Sequence, residues 1–401
     1  MARRIMLLAG EESGVFYAER LKNALKREQS LCGGDGSIEF RGYADYGFRT
    51  SDLAVMGIGA VLRKIFYFIG VVRTMKRAIR EWKPDVVVTI DYPGMNLKLA
   101  AYAKSLGIKT VHVVCPQVWA WHRGRVPKIA ASLTKLLCFF PFEPAIFAAE
   151  RRKGFEAKFI GHPLVDVCAE EAARLKVDGP GIEGFTLPTG RRLVAILPGS
   201  RHGEIERILP RQLEAARILN KRVNNLHFAI PAASPRARRQ IEAELARSPV
   251  DNVTIVDGQA RKVMRASDVA AVASGTATLE SALARVPTVL VYATTPTFAW
   301  FLRYFVTGVR FAGLANIIAE RCAYGDKDPP KRRPGEGPGK GGPMPELLQE
   351  EFTAEALADM LCAWLTDRSA RDEALAKLND AMALIRSDGD AIGNAAREIL
   401  S

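Results

Sequence analysis

Apolar residues fall along the chain in short continuous runs rather than in strict alternation. "RIMLLAG" (4–10), "DVVVTID" (85–91), "KTVHVVCP" (109–116) and "LLCFF" (136–140) form one set. "RLVAILPG" (192–199), "LHFAIPA" (226–232), "VTIVDG" (253–258), "VAAVAS" (269–274) and "TVLVYA" (288–293) form a second. Runs of this length, rich in β-branched residues, predict strands buried on both faces. Between them apolar positions recur at helical spacing, as over 96–106, 205–222 and 276–286. Strands alternating with helices predict parallel sheets covered by helices.

The Gly- and Pro-rich stretch "VDGPGIEGFTLPTGR" (177–191) separates the two sets and is the expected domain boundary. Residues 1–176 and 177–351 then form two Rossmann-like domains. Within the second, "YGDKDPPKRRPGEGPGKGGPMPE" (324–346) cannot bury a core and reads as a mobile insertion. Residues 352–401 read as two or three C-terminal helices packing back across the domains.

A chain of 401 residues suits two cores, and 48% hydrophobic with 25% charged residues marks a folded protein. The formal net charge of +13 favours anionic partners: nucleic acid, anionic lipid or phosphorylated substrates. No nucleic-acid motif or aromatic platform accompanies that charge. The six cysteines form no CxxC pair, so neither a zinc site nor a disulfide framework is signalled, and a reduced cytoplasmic setting is the simplest reading. The first apolar run meets Glu11 and Glu12 at once, too early for a signal peptide. No run reaches the ~18 apolar residues of a membrane span.

Ligands of open parallel sheets sit beyond the carboxyl ends of the strands, so the residues that follow each run are the candidate site. Ser274, Gly275, Thr276 and Ala277 make a bare turn into a helix, with Glu280 one turn on. Such a turn can hold an anion on backbone N–H groups and the helix dipole. It lacks a lysine, and Arg201 in "PGSR" is the obvious supplier of positive charge for a diphosphate. Glu280 could take the two ribose hydroxyls; a tight turn with a solvent-facing Glu280 is the plain alternative. Asp91 ends a strongly apolar strand, a setting that can make a carboxylate a usable base, or else it caps the turn ahead of Pro93. Glu11 and Glu12 could bind a sugar hydroxyl or serve as helix-terminus charges. His112 lies inside a strand and reads as core, His162 in "FIGHP" follows a short run, and His202 stands beside Arg201. No pair has metal-ligand spacing, and "DKD" (326–328) reads as solvated charge.

The stretch 52–80 differs. Ile58, Val61, Leu62, Ile65, Phe66, Phe68, Ile69 and Val72 crowd one helical segment bordered by Arg63, Lys64, Arg73, Lys76, Arg77 and Arg80. Apolar bulk with basic flanks can lie in an anionic membrane interface; a buried helix with basic ends is the alternative.

Taken together, these loops resemble the lipid-A-disaccharide synthase family. The matching segments are "AGEESG" (9–14), "LAVMGIGAVL" (53–62), "KPDVVVTIDYPGMN" (83–96), "GIKTVHVVCPQVWAWHRGRVPKI" (107–129), "FPFEPAIF" (140–147) and "FIGHP" (159–163). They continue with "LPGSRHGEI" (197–205), "ASGTATLE" (273–280), "LANII" (314–318) and "PELLQEEFT" (345–353). The resemblance implies an α/β GT-B fold, two Rossmann-like parallel-sheet domains facing a cleft, with C-terminal helices. It implies an inverting glycosyltransferase that joins UDP-2,3-diacylglucosamine to the 6-hydroxyl of 2,3-diacylglucosamine 1-phosphate (lipid X), giving a β-1,6 disaccharide and UDP. Asp91 and Arg201 would be catalytic. Arg201, Ser274–Ala277, Glu280 and Asn316 would hold the UDP-sugar, and Glu11, Ser13, Asn96 and His162 would stand on the acceptor or sugar side. No metal or other cofactor is expected. The stripe 58–72 would meet the anionic cytoplasmic face of the inner membrane, and a homodimer is an open possibility. Two features depart from the family pattern: Val15 replaces an aspartate of the first loop, and 319–343 is longer and richer in Gly, Pro and basic residues. A GT-B protein with altered acceptor specificity, or one that binds UDP-sugar or lipid without catalysis, is the competing reading.

Overall fold

The computed structural model describes residues 2–10, 12–31, 37–49, 52, 65–151, 154–178, 181–306, 308–325, 327, 329–330 and 341–401; the side chains at 12, 13, 65, 175–178, 303 and 305 are outside that description. It contains two six-stranded sheets, and every strand pairing in both is parallel.

The first sheet comprises β1 (Arg3–Ala9), β2 (Ile38–Arg41), β3 (Val86–Ile90), β4 (Lys109–Val113), β5 (Lys135–Cys138) and β6 (Glu156–Phe159), in the order β2-β1-β3-β4-β5-β6. Successive strand residues point to opposite faces. Ile5, Leu7, Val88 and Ile90 pack with Leu21, Leu25, Ala395 and Ile399 of the helices Glu12–Leu31 and Ala391–Leu400. Met6, Leu8 and Val87 pack on the other face with Val71, Met75, Ile79 and Leu99 of the helices Ile65–Trp82 and Pro93–Ser105. Both faces are covered, which is why these strands are apolar throughout.

The second sheet comprises β7 (Arg192–Leu197), β8 (Leu226–Ala232), β9 (Val253–Asp257), β10 (Val269–Ala273), β11 (Thr288–Tyr292) and β12 (Glu346–Leu348), in the order β12-β11-β10-β7-β8-β9. One face packs against the helices His202–Arg222 and Ala354–Thr366, the other against Val263 and Met264 of the helix Ala260–Ala266.

The chain divides into two compact units, Met1–Pro163 with Ser387–Ser401, and Leu164–Arg386. The division falls before the helix Pro163–Asp178, not within the Gly- and Pro-rich stretch after it. That helix is tied to the second unit: Arg261 clasps Glu171 at 2.7 Å, and Arg265 donates to the Cys168 carbonyl at 2.8 Å. The breaker residues therefore mark the end of a helix and not the end of a domain. Of the C-terminal helices, Ala354–Thr366 and Arg368–Ala383 belong to the second unit, and Ala391–Leu400 returns to the first. There Arg3, Lys109 and Lys135 donate to the carbonyls of Leu400, Ile399 and Glu398, which satisfies the orphan acceptors of the helix end with cations. Gly161, at φ 89°, lets Ser387 pack against it; a Cβ there would strike the Ser387 hydroxyl.

Candidate active site

In each sheet the strand order reverses once. In the first, the chain moves outward from β1 to β2 and then returns to the other side of β1 as β3. In the second it moves from β7 to β8 and β9, then returns to the other side of β7 as β10. Crevices for ligands form beyond the carboxyl ends of strands at such reversals. Ala9 is registered with Ile90, so the loops opening at Gly10 and Asp91 leave the first sheet side by side. Val272 is registered with Leu197, so the loops carrying Ser274–Ala277 and Arg201 do the same in the second.

At the first reversal Asp91 and Tyr92 both adopt left-handed backbone, φ 49° and 50°. Consecutive non-glycine residues in that region store strain that the surroundings must hold. Val114, beyond β4, is a further case at φ 78°. The Asp91 carboxylate accepts the Tyr92 N–H at 2.8 Å, and the Asp91 N–H is bonded to the Val113 carbonyl. Asn96 braces the turn from beneath. Its Nδ2 donates to the carbonyls of Asp91 (2.8 Å), Ile90 (3.1 Å) and Leu8 (3.3 Å), and its Oδ1 accepts the Tyr43 hydroxyl at 2.7 Å. With 0% exposure and its amide engaged, Asn96 supports Asp91 from within. Gly10 lies under the Tyr92 ring, where a Cβ would come within 2.6 Å.

His162 is not brought to this place. It follows β6, three strands from β3, is 7% exposed, and packs against Phe139 and Phe140. Burial holds its imidazole down at about 4. Glu11 and the Ser13 side chain lie outside the described residues; Ser13 itself falls in the first turn of the helix Glu12–Leu31, at the same reversal.

At the second reversal Arg201 caps the helix His202–Arg222. Glu204, to which the sequence assigned no role, fixes it: one carboxylate oxygen accepts the Ser200 and Arg201 N–H groups (3.1 and 3.2 Å), the other the Arg201 guanidinium (2.7 Å). Gly199 at φ 102° makes room, since a Cβ there would meet Glu204 at 2.5 Å. A carboxylate three residues after a helix cap is the signal that could have found it. His202 bonds Gln240 at 2.9 Å and so ties the loop to the neighbouring helix Pro235–Arg247.

Gly275, φ 150°, opens the helix Thr276–Leu283, and Gly275 and Thr276 are exposed. Glu280 pairs with Arg261 at 3.0 Å, and the same guanidinium holds Glu171. Burial raises the Glu280 carboxyl above the usual carboxylate range, and Arg261 opposes the rise. Arg261 is the second residue that sequence reasoning missed; nothing local to "ARKVM" marks it. Asn316 is 1% exposed, donates to the Met344 carbonyl and Glu346 (2.7 Å each), and accepts the Met344 N–H. It pins the chain where the insertion ends.

Of the apolar stripe, Ile58, Val61 and Leu62 lie outside the described residues, as does the side chain of Ile65. Phe66 (85%) and Ile69 (41%) are exposed, whereas Phe68 and Val72 pack partly against the core. Of the four stripe side chains that are described, two are therefore exposed and two are partly packed. No helix among the described residues is long and apolar enough to cross a membrane. Among those residues one group has donors close enough to hold a metal: Cys115, Cys138 and Glu143. It lies wholly in the interior, and both Glu143 oxygens already accept hydrogen bonds, from Trp119 Nε1 and the Phe140 N–H, each at 3.1 Å.

The fold has known counterparts. UDP-GlcNAc 2-epimerase from Neisseria meningitidis, solved bound to UDP-GlcNAc, superposes with a TM-score of 0.60 at 12% identity, covering 99% of this chain and 98% of that one. MurG of Acinetobacter baumannii gives 0.53 at 15% identity, covering 99% of each. Two parallel Rossmann-like sheets with these structural counterparts define the GT-B fold.

Sequence comparison is more specific. The profile described as lipid-A-disaccharide synthetase matches residues 5–325. Lipid-A-disaccharide synthase of Xanthomonas campestris pv. campestris is 36% identical over 373 residues, 90% of this chain and 78% of the relative. That of Chromohalobacter salexigens is 36% identical over 384 residues, 92% and 89%. The chain belongs to the lipid-A-disaccharide synthetase family. It is a glycosyltransferase with a UDP-sugar donor and a lipid acceptor, and its reaction is the transfer of 2,3-diacylglucosamine to lipid X.

Proposed function

We propose that the two halves of this reaction are divided between the two strand-order reversals. At β1/β3, Asp91 takes the proton from the acceptor 6-hydroxyl as its oxygen attacks the anomeric carbon of the donor. The bond from that carbon to the UDP oxygen breaks, its electron pair leaves with the diphosphate, and the anomeric configuration inverts. At β7/β10, Arg201 and the N-terminus of the 276–283 helix meet the charge growing on the diphosphate, a task donors of this kind perform without a metal. Glu280, held by Arg261, accepts the ribose hydroxyls.

The observation that carries this reading is that Asp91 leaves one reversal, and Arg201 with Ser274–Ala277 leave the other. The strained backbone at Asp91 supports it, because strain persists where neighbouring structure is built to hold it. Both substrates carry acyl chains, so the enzyme works as a peripheral protein on the cytoplasmic face of the inner membrane, with Phe66 and Ile69 contributing contact. The test is UDP release from UDP-2,3-diacylglucosamine with and without lipid X. Release that requires lipid X and yields the disaccharide supports the proposal; donor binding with no acceptor-dependent release would favour the non-catalytic alternative.

A further inference from the structure

The second unit carries an apolar surface that the roles above leave unused. β11 ends at Tyr292, and after a short loop the chain forms the helix Pro296–Phe305. Pro296 opens it, and the Thr295 hydroxyl accepts the Phe298 N–H, so it begins at a fixed place. Four of its aromatic residues face outward: Phe298 (45% exposed), Trp300 (57%), Phe301 (40%) and Tyr304 (43%). Phe298 and Phe301 stack at 6.1 Å, and Trp300 and Tyr304 meet at 5.2 Å, two aromatic pairs on one helix. A monomer rarely leaves such a patch to water without a use.

Chemistry narrows the occupant. Trp and Tyr, each with an apolar ring and a polar tip, are the residues enriched where bilayers meet water. From Ala293 to Ala319 the sequence contains Arg303 and Arg310 and no Asp or Glu; Glu320, which pairs with Arg310 at 3.2 Å, has its side chain only 8% exposed, so no exposed carboxylate of this stretch repels an anionic headgroup. The helix leaves the carboxyl end of β11, which is registered directly beside β10, whose end carries the turn assigned to the donor. The donor bears two acyl chains.

We infer that the 296–305 helix is a lipid-contact surface of the second unit, separate from Phe66 and Ile69 of the first, and that it docks on an anionic bilayer interface. The inference rests on the donor reading above. Its test therefore uses vesicles without substrate, and UDP affinity is measured apart.

Trp300→Ser/Phe301→Ser in the full chain is expected to partition roughly tenfold or more weakly onto vesicles of phosphatidylethanolamine with phosphatidylglycerol. Its UDP affinity by calorimetry should be unchanged. In the wild-type protein, amide exchange across 296–305 should slow when those vesicles are added, a reading that does not depend on the variant folding. The same slowing should persist in Phe66→Ser/Ile69→Ser at saturating lipid. Unchanged wild-type exchange over 296–305 overturns the inference whatever the variant does. So does a double substitution that leaves partitioning intact but shifts the sedimenting species from dimer to monomer, because it would give the patch to a second copy of the chain.

Discussion

The two strand-order reversals are alike in topology and unlike in what holds them. The one at β1/β3 is braced by neutral groups: Asn96 grips three carbonyls and a buried phenol, and the backbone of Asp91 and Tyr92 is locked in a left-handed turn. The one at β7/β10 is braced by ion pairs, Arg201 with Glu204 and Glu280 with Arg261. The difference fits the tasks proposed for the two places. A base must sit at a fixed point against a hydroxyl, and neutral hydrogen bonds in a dry interior set position without competing charge. A diphosphate site must exchange one anion for another. Glu204 occupies the loop N–H groups and the arginine much as a phosphate would, on a surface where the arginine side chain is 63% exposed. Exposed ion pairs are weak and screened by salt, so the Arg201–Glu204 brace should loosen with ionic strength more than the neutral brace around Asn96.

The largest effect is expected at the acceptor side. Asp91→Asn keeps shape and removes basicity, so turnover measured by disaccharide formation should fall by roughly 10²–10⁴. A fall of less than about tenfold would remove Asp91 as the base. The neutral brace predicts a smaller, structural loss. Asn96→Ala strands the Leu8 and Ile90 carbonyls and the Tyr43 hydroxyl, and denaturant titration should show a cost of about 1–3 kcal/mol. A stability equal to that of the parent would mean the brace is dispensable.

The smallest effect is one of pH. Burial raises the Glu143 carboxyl to about 8, so the folded chain keeps a proton that the unfolded chain releases above its ordinary range. Stability must then fall as pH rises through that window. His162, held down at about 4, has the opposite slope, but only below its ordinary value of 6.5. Between pH 6.5 and 8 only Glu143 of these two acts. Melting temperature should drop there by roughly 3–6 °C, since about 1.5 pH units at ~1.4 kcal/mol each, flattening near 8, give about 1.6 kcal/mol in a unit of this size. Glu143→Gln should flatten the drop, and the same slope in the variant would contradict the assignment.

The nine runs read as strands all belong to strands of the two sheets. The three that escaped, β2, β6 and β12, are all sheet edges. An edge strand is covered on fewer sides, so "IEFR" and "EAKF" mix charged and apolar residues and carry no continuous apolar run. Glycine and proline marked the end of the 163–178 helix, but not which unit that helix joins, because Glu171 finds Arg261 through space. Loops at the strand ends were legible as candidates because ligands of open parallel sheets sit beyond the carboxyl ends of strands. The supporting residues were not: Glu204 had a local spacing signal, Arg261 had none, and Asn96 and Asn316 look like any loop asparagine until burial shows every polar atom engaged.

The division of labour between the reversals is tested most directly by UDP affinity in two variants measured side by side. Calorimetry on Arg201→Ala should show a large loss, up to the 2–4 kcal/mol that a single charge donor of this kind supplies. Asp91→Asn should bind UDP as the parent protein does. If UDP affinity collapses in Asp91→Asn, or survives intact in Arg201→Ala, donor and base are not divided between the two reversals, and the account fails at its centre.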